Sequence, residues 1–264
     1  MKQRLIVLNL ISILVVAFGL TTFLHEIAHA IAAKLVGVNP TLFHTYVSFD
    51  NSSIPASNEV IVLISGPLFS LFQAIVFLIL LRRRDKTDLL RLFYLWMAII
   101  GMVVFLGYVM MGPFIPYGDT GKIYAILGTP TYVSLSLAAL ALIAIVIFFR
   151  KLSPLFVQFL AMLRTISGIE KSRSLFLFLI LPLLVSTVVN ALISLPAPTA
   201  VSMAFPLLLP ITMLPSILRV GKSSWAPDKS SNEEVTLSKT AYWPIYSMAL
   251  IIIISRFLAM GIPI

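Results

Sequence analysis

Two histidines four residues apart bracket an acidic residue in the run His25-Glu26-Ile27-Ala28-His29. On an α-helix this spacing puts both imidazoles on one face, where they can bind a single metal ion, most naturally zinc. Glu26, about 100° around the helix from His25 and about 60° from His29, can then reach a water at that metal and act as a general base. The run lies inside an apolar stretch from Leu5 to about Val38, and an acidic side chain at the centre of a membrane helix costs about 2.5–3.5 kcal/mol. With three His and ten acidic residues in 264, chance produces this spacing roughly once in a thousand chains. A satisfied pair of core histidines is therefore the weaker reading.

Hydrolytic zinc takes three protein ligands and keeps one position open. The chain has no cysteine, so His and carboxylates are the only strong ligands it can offer. Outside the basic loops the candidates for the third ligand are His44, Asp50, Glu59 and Asp119. Asp119 is the best placed. It sits in Pro113-Phe114-Ile115-Pro116-Tyr117-Gly118-Asp119-Thr120-Gly121, a Gly/Pro-rich break between apolar runs, where irregular backbone lining a cavity can present a carboxylate. Its competing role is the N-cap of a helix beginning at Thr120, and one residue can do both. His44 is the alternative ligand or a donor to substrate. The expected complement is one zinc ion per chain.

These residues need a membrane-embedded frame. The chain is 59% hydrophobic and 11% charged with a mean hydropathy of +1.04, against about 25% charged in soluble domains. Runs long enough to span a bilayer fall near 5–36, 59–81, 89–112, 120–149, 174–194, 199–219 and 242–262. The expectation is an all-α polytopic membrane protein with about seven transmembrane helices. It forms a single membrane-embedded domain over 1–264, with a metal-binding core in 1–149 and accessory helices in 150–264. The fourth run contains Gly128-Thr129-Pro130 and is expected to kink or divide there. The apolar stretch after Arg4 exceeds the usual signal-peptide core, so an uncleaved anchor is expected.

All basic residues except Lys34, Lys122 and Arg256 fall on one side if the N-terminus is cytoplasmic, and the opposite loops 37–58, 113–119 and 195–198 hold none. This bias predicts an N-in, C-out topology, with the site toward the non-cytoplasmic side. The same distribution argues against nucleic acid as the partner of the +9 charge. Residues 150–173 read as an amphipathic helix on the cytoplasmic surface, and 221–241 as a polar linker. Thr41–Phe49 is β-branched and aromatic between Asn39-Pro40 and Asp50-Asn51-Ser52-Ser53, which suits a short hairpin or edge strand.

Three segments together resemble the site-2 protease group of intramembrane metalloproteases, the M50 class. His25-Glu26-Ile27-Ala28-His29 matches the family's HExxH. Ser65-Gly66-Pro67-Leu68-Phe69-Ser70 is similar to its AGPxxN segment, with Ser70 where the family usually has Asn. Gly118-Asp119-Thr120-Gly121-Lys122-Ile123 is similar to its LDGGK segment, with Thr120 in place of a Gly. The three lie in the family's order within the first half of the chain, and nothing in 150–264 adds to them. Better-known members hold zinc nearer the cytosolic face, whereas the basic residues here place it on the other.

The resemblance implies zinc held by His25, His29 and Asp119, with Glu26 as general base and then proton carrier to the leaving amine. It implies hydrolysis of peptide bonds in membrane-protein substrates within the lipid bilayer. The family's re-entrant β element follows its HExxH helix, so Phe43, Thr45 and Val47 are candidates to clamp an extended substrate by strand addition, and Ser70 to hold substrate or orient the site. Two other classes stand beside this reading: a catalytically silent membrane scaffold of the same fold, which would have no use for Glu26, and a zinc transporter, which favours sites with alternating access. Oligomeric state and substrate identity have no signal in the sequence.

Overall fold

A computed structural model of the chain describes residues 2–50, 54–197, 200–225 and 241–264. Helices α1 (Lys2–Leu35), α2 (Ala56–Arg83), α3 (Leu89–Met111) and α5 (Thr131–Ser167) are long and apolar. So is the rod in which α6 (Lys171–Leu175) passes through a π-helical turn, Phe176–Ile180, into α7 (Leu181–Ile193). These five are long and apolar enough to cross a membrane, and the chain is a helical integral membrane protein. Between α3 and α5 lies the short α4 (Asp119–Ile126). Two further helices follow, α8 (Ala200–Lys222), with internal prolines at 206, 210 and 215, and the shorter apolar α9 (Trp243–Leu258).

The apolar run expected at 120–149 is divided, as its Gly-Pro break suggested. Gly128 takes a left-handed φ of 59°, and Pro130 caps α5. Residues 150–167 depart from the expected surface helix. They continue α5 without a stop through Pro154, and Phe156, Phe159, Leu160 and Leu163 are buried in the main core. The apolar stripe that could have met lipid headgroups meets protein instead, with the Phe156 ring 5.5 Å from that of Trp96 on α3. Most of the expected linker, residues 226–240, lies outside the described residues, as do Asn51, Ser52 and Ser53 of the expected turn.

Helix α1 is the central element and packs against α2, α3, α7 and α9. It ends where Gly37, at φ 91°, lets the chain reverse while Val38 N–H bonds to the Ala33 carbonyl at 3.1 Å. Asn39-Pro40 then leads into β1 (Thr41–Leu42), which pairs antiparallel with β2 (Val47–Ser48) around a turn closed by Phe43 N–H to the Tyr46 carbonyl at 2.9 Å. The other edge of β1 is taken by β3 (Ile262–Pro263), giving the order β2-β1-β3. Leu42, Val47 and Ile262 pack on Phe23, Ile27 and Ala30, so the sheet sits on α1 alongside the His-Glu-His segment. At the opposite end of the bundle, Asp88 caps α3 by accepting the Arg91 amide at 2.9 Å and pairs with Arg84.

Candidate metal centre

His25 and His29 are almost fully buried and face α2. His29 Nδ1–H donates to the Val62 carbonyl at 2.7 Å, and since a carbonyl only accepts, the His29 Nε2 lone pair points away from α2's backbone. Ser70 hydroxyl donates to the Gly66 carbonyl at 3.2 Å and so accepts from His25 Nδ1–H, 3.0 Å away. The hydrogen-bond network thus assigns both imidazoles the same tautomer, with Nε2 free to bind a cation.

The two Nε2 atoms are 3.1 Å apart, and Asp119 Oδ2 lies 3.3 Å from that of His25 and 3.2 Å from that of His29. With bonds of about 2.0–2.1 Å, tetrahedral zinc sets neighbouring ligands about 3.3 Å apart, so the three atoms have the spacing zinc requires. Three acceptor atoms this close repel one another unless a proton or cation sits among them, and two neutral imidazoles with a carboxylate are a zinc donor set. Gly66 supplies the room. A Cβ there would stand 2.6 Å from His25 Nε2 and would also overlap His29 Nε2, so only glycine leaves the approach to the two nitrogens unobstructed. Among the described residues this is the group of three His, Cys or acidic residues whose ligand atoms converge, all within 4.8 Å.

Glu26 is buried. At 100° per residue it projects about 80° from the His25/His29 face and about 65° from the Phe23/Ile27/Ala30 face that carries the sheet. It therefore stands between the imidazoles and the hairpin. One turn below His25, the Gln73 amide donates to Thr21 Oγ1 at 2.8 Å and to the Met97 carbonyl at 3.0 Å, tying α1, α2 and α3 together under the site.

The competing capping role of Asp119 is not taken. Helix α4 starts at Asp119 itself, with Gly118 as an N-cap that makes no side-chain cap bond, and the Asp119 carboxylate is turned to the two imidazoles. His44 is not brought to the trio. Its Nε2–H donates to the Ser194 carbonyl at 3.1 Å, tying the hairpin to the end of α7. Burial and the Arg256 charge push the His44 imidazole below its ordinary pKa, against that hydrogen bond. Asp50 and Glu59 are not members of the converging group. Phe43 stacks on Tyr46 at 4.3 Å in the hairpin turn, Thr45 Oγ1 is buried, and Val47 packs with Phe23 and Ile27. These three lie on the sheet side of α1, whereas Ser70 lies on the metal side.

Sequence reasoning missed Tyr108, whose ring stacks on His25 with centroids 5.0 Å apart and planes 15° from parallel. A lone tyrosine in an apolar helix has no distinguishing spacing. It also missed the Val62 carbonyl, since backbone acceptors leave no trace in residue types. None of the family models, curated proteins or solved structures compared with the chain matches it.

Proposed function

We propose that this chain is a zinc-dependent intramembrane endopeptidase of the site-2 protease kind, hydrolysing peptide bonds of membrane-protein substrates. The observation that carries the reading is the convergence of His25 Nε2, His29 Nε2 and Asp119 Oδ2, with Glu26 buried on the same turn of α1 as the two histidines. His25, His29 and Asp119 would hold the zinc. When bound, zinc supplies Lewis-acid chemistry, lowering the pKa of water from about 15.7 toward about 7 and polarising a carbonyl oxygen. Val62 and Ser70 keep both Nε2 lone pairs aimed at the centre, and Asp119 supplies negative charge. Glu26 takes a proton from the attacking water and returns it to the leaving amine.

The frame supports this assignment. Because β1 pairs with β3, residues 41 and 263 lie side by side, which favours an even number of crossings between them. Counting α2, α3, α5, the α6–α7 rod, α8 and α9 after α1 gives seven spans in an N-in, C-out arrangement, as the basic residues favour. Phe114, Tyr117 and Tyr132 are exposed beside the Asp119 end, as an interfacial aromatic belt would be. The site then lies toward the non-cytoplasmic face, where water can reach it. Pro263 lacks an N–H to offer on β3, so an extended substrate is accepted at the outer edge of β2, with Phe43, Thr45 and Val47 on the hairpin next to it.

The test is cleavage of a single-span fluorogenic peptide by the full chain in lipid vesicles. Cleavage should stop with a zinc chelator and return with added zinc. Cleavage that survives chelation, or zinc flux across the vesicle without cleavage, contradicts the assignment, the latter in favour of transport.

A further inference from the structure

We infer that Tyr108 is a positioning residue that sets the affinity and geometry of the metal centre, an inference that rests on the metal assignment above. The candidate ligands come from α1 and α4, and each imidazole is steadied through its Nδ1 by α2. A hydrogen bond at Nδ1 fixes one point of a ring and leaves it free to tilt about that point. For His25 the Tyr108 ring removes this freedom by lying nearly parallel on the imidazole face, 15° from coplanar at 5.0 Å. The hydroxyl of the same side chain interacts with the Asp119 carboxylate, toward which it can act only as donor. That carboxylate is 22% exposed, far more open than the imidazoles, and a donor on it opposes rotation toward water. One rigid side chain on α3 thus touches ligands from both other elements, and α3 itself packs on α1, α2 and α4.

The two contacts can be separated. Tyr108→Phe keeps the ring on His25 and removes only the donor to Asp119, whereas Tyr108→Leu removes both. If Tyr108 merely fills the core and satisfies its own hydroxyl, the Phe variant alters stability slightly and leaves metal binding unchanged. The experiment measures zinc affinity of the purified full chain by competition with a chromogenic chelator, the visible spectrum of the cobalt-substituted protein, and thermal unfolding of the metal-free protein. For Tyr108→Phe we expect zinc affinity lower by about 10–100-fold, the loss typical of groups that orient metal ligands, altered cobalt bands and unchanged metal-free unfolding. For Tyr108→Leu the affinity falls further. Wild-type protein that binds zinc, with Tyr108→Phe equal to it in affinity and cobalt spectrum, would overturn the role of Tyr108 alone. Wild-type protein that binds neither metal would overturn the metal assignment and this role with it.

Discussion

His29 gives its Nδ1 proton to the backbone carbonyl of Val62 at 2.7 Å. This bond directs the opposite nitrogen at Asp119, 3.2 Å away, and because the acceptor is main chain, its position depends on how closely α2 lies against α1. Gly66, one turn beyond Val62, permits that approach, since any Cβ there would overlap both Nε2 atoms.

Gly66→Ala should therefore displace the imidazoles or fill the space beside them. Overpacking of this kind costs about 1–3 kcal/mol, which a bundle this large should survive folded. The expected outcome is a folded protein, monodisperse in detergent, that has lost most of its zinc. A Gly66→Ala variant with full zinc would show that the space beside the nitrogens is not where metal binds.

Asp119→Asn separates a ligand from a structural aspartate. The α4 N-cap is Gly118, with no side-chain cap bond, so Asn should leave the fold unchanged. It removes the negative charge from the trio, and zinc binding and hydrolysis should both be impaired. Zinc content and cleavage equal to wild type would remove Asp119 from the centre.

Glu26→Gln keeps the shape of the side chain but cannot accept a proton. It should retain zinc while hydrolysis falls by about 10²–10⁴-fold, the range typical of a lost general base. Cleavage at a comparable rate would exclude Glu26 from proton transfer.

Topology can be checked cleanly because the chain has no cysteine of its own. Ser48 and Lys86 are both exposed, at opposite ends of α2. A Ser48→Cys variant should react with an impermeant thiol reagent added outside intact cells, and Lys86→Cys only after permeabilisation. The opposite pattern would place the hairpin and the site on the cytoplasmic side.

The sequence pointed to the helical class and to residues that the fold brings together, because His25 and His29 lie one helical turn apart and Asp119 stands in a Gly/Pro break that no apolar helix would contain by default. It also pointed to the hairpin at 41–48, from β-branched and aromatic residues after a proline. It did not reveal β3. Two residues, one of them proline, carry no strand signal, and their pairing with β1 depends on how α9 packs against α1. The extension of α5 through Pro154 was hidden for a related reason. The stripe Phe156, Phe159, Leu160, Leu163 fits a lipid surface as well as a protein core, and only the position of Trp96 decides between them. Tyr108 and Gly66 acquire their roles only from helix–helix contacts distant in sequence.

The most direct test of the central claim is zinc K-edge X-ray absorption on the purified full chain, recorded for wild type and His29→Ala. The account predicts about one zinc per chain, with two imidazole nitrogens and a carboxylate oxygen at about 2.0–2.1 Å, and loss of the zinc or of one imidazole shell in the variant. A wild-type protein that retains no zinc, or a zinc spectrum unchanged by His29→Ala, would contradict it.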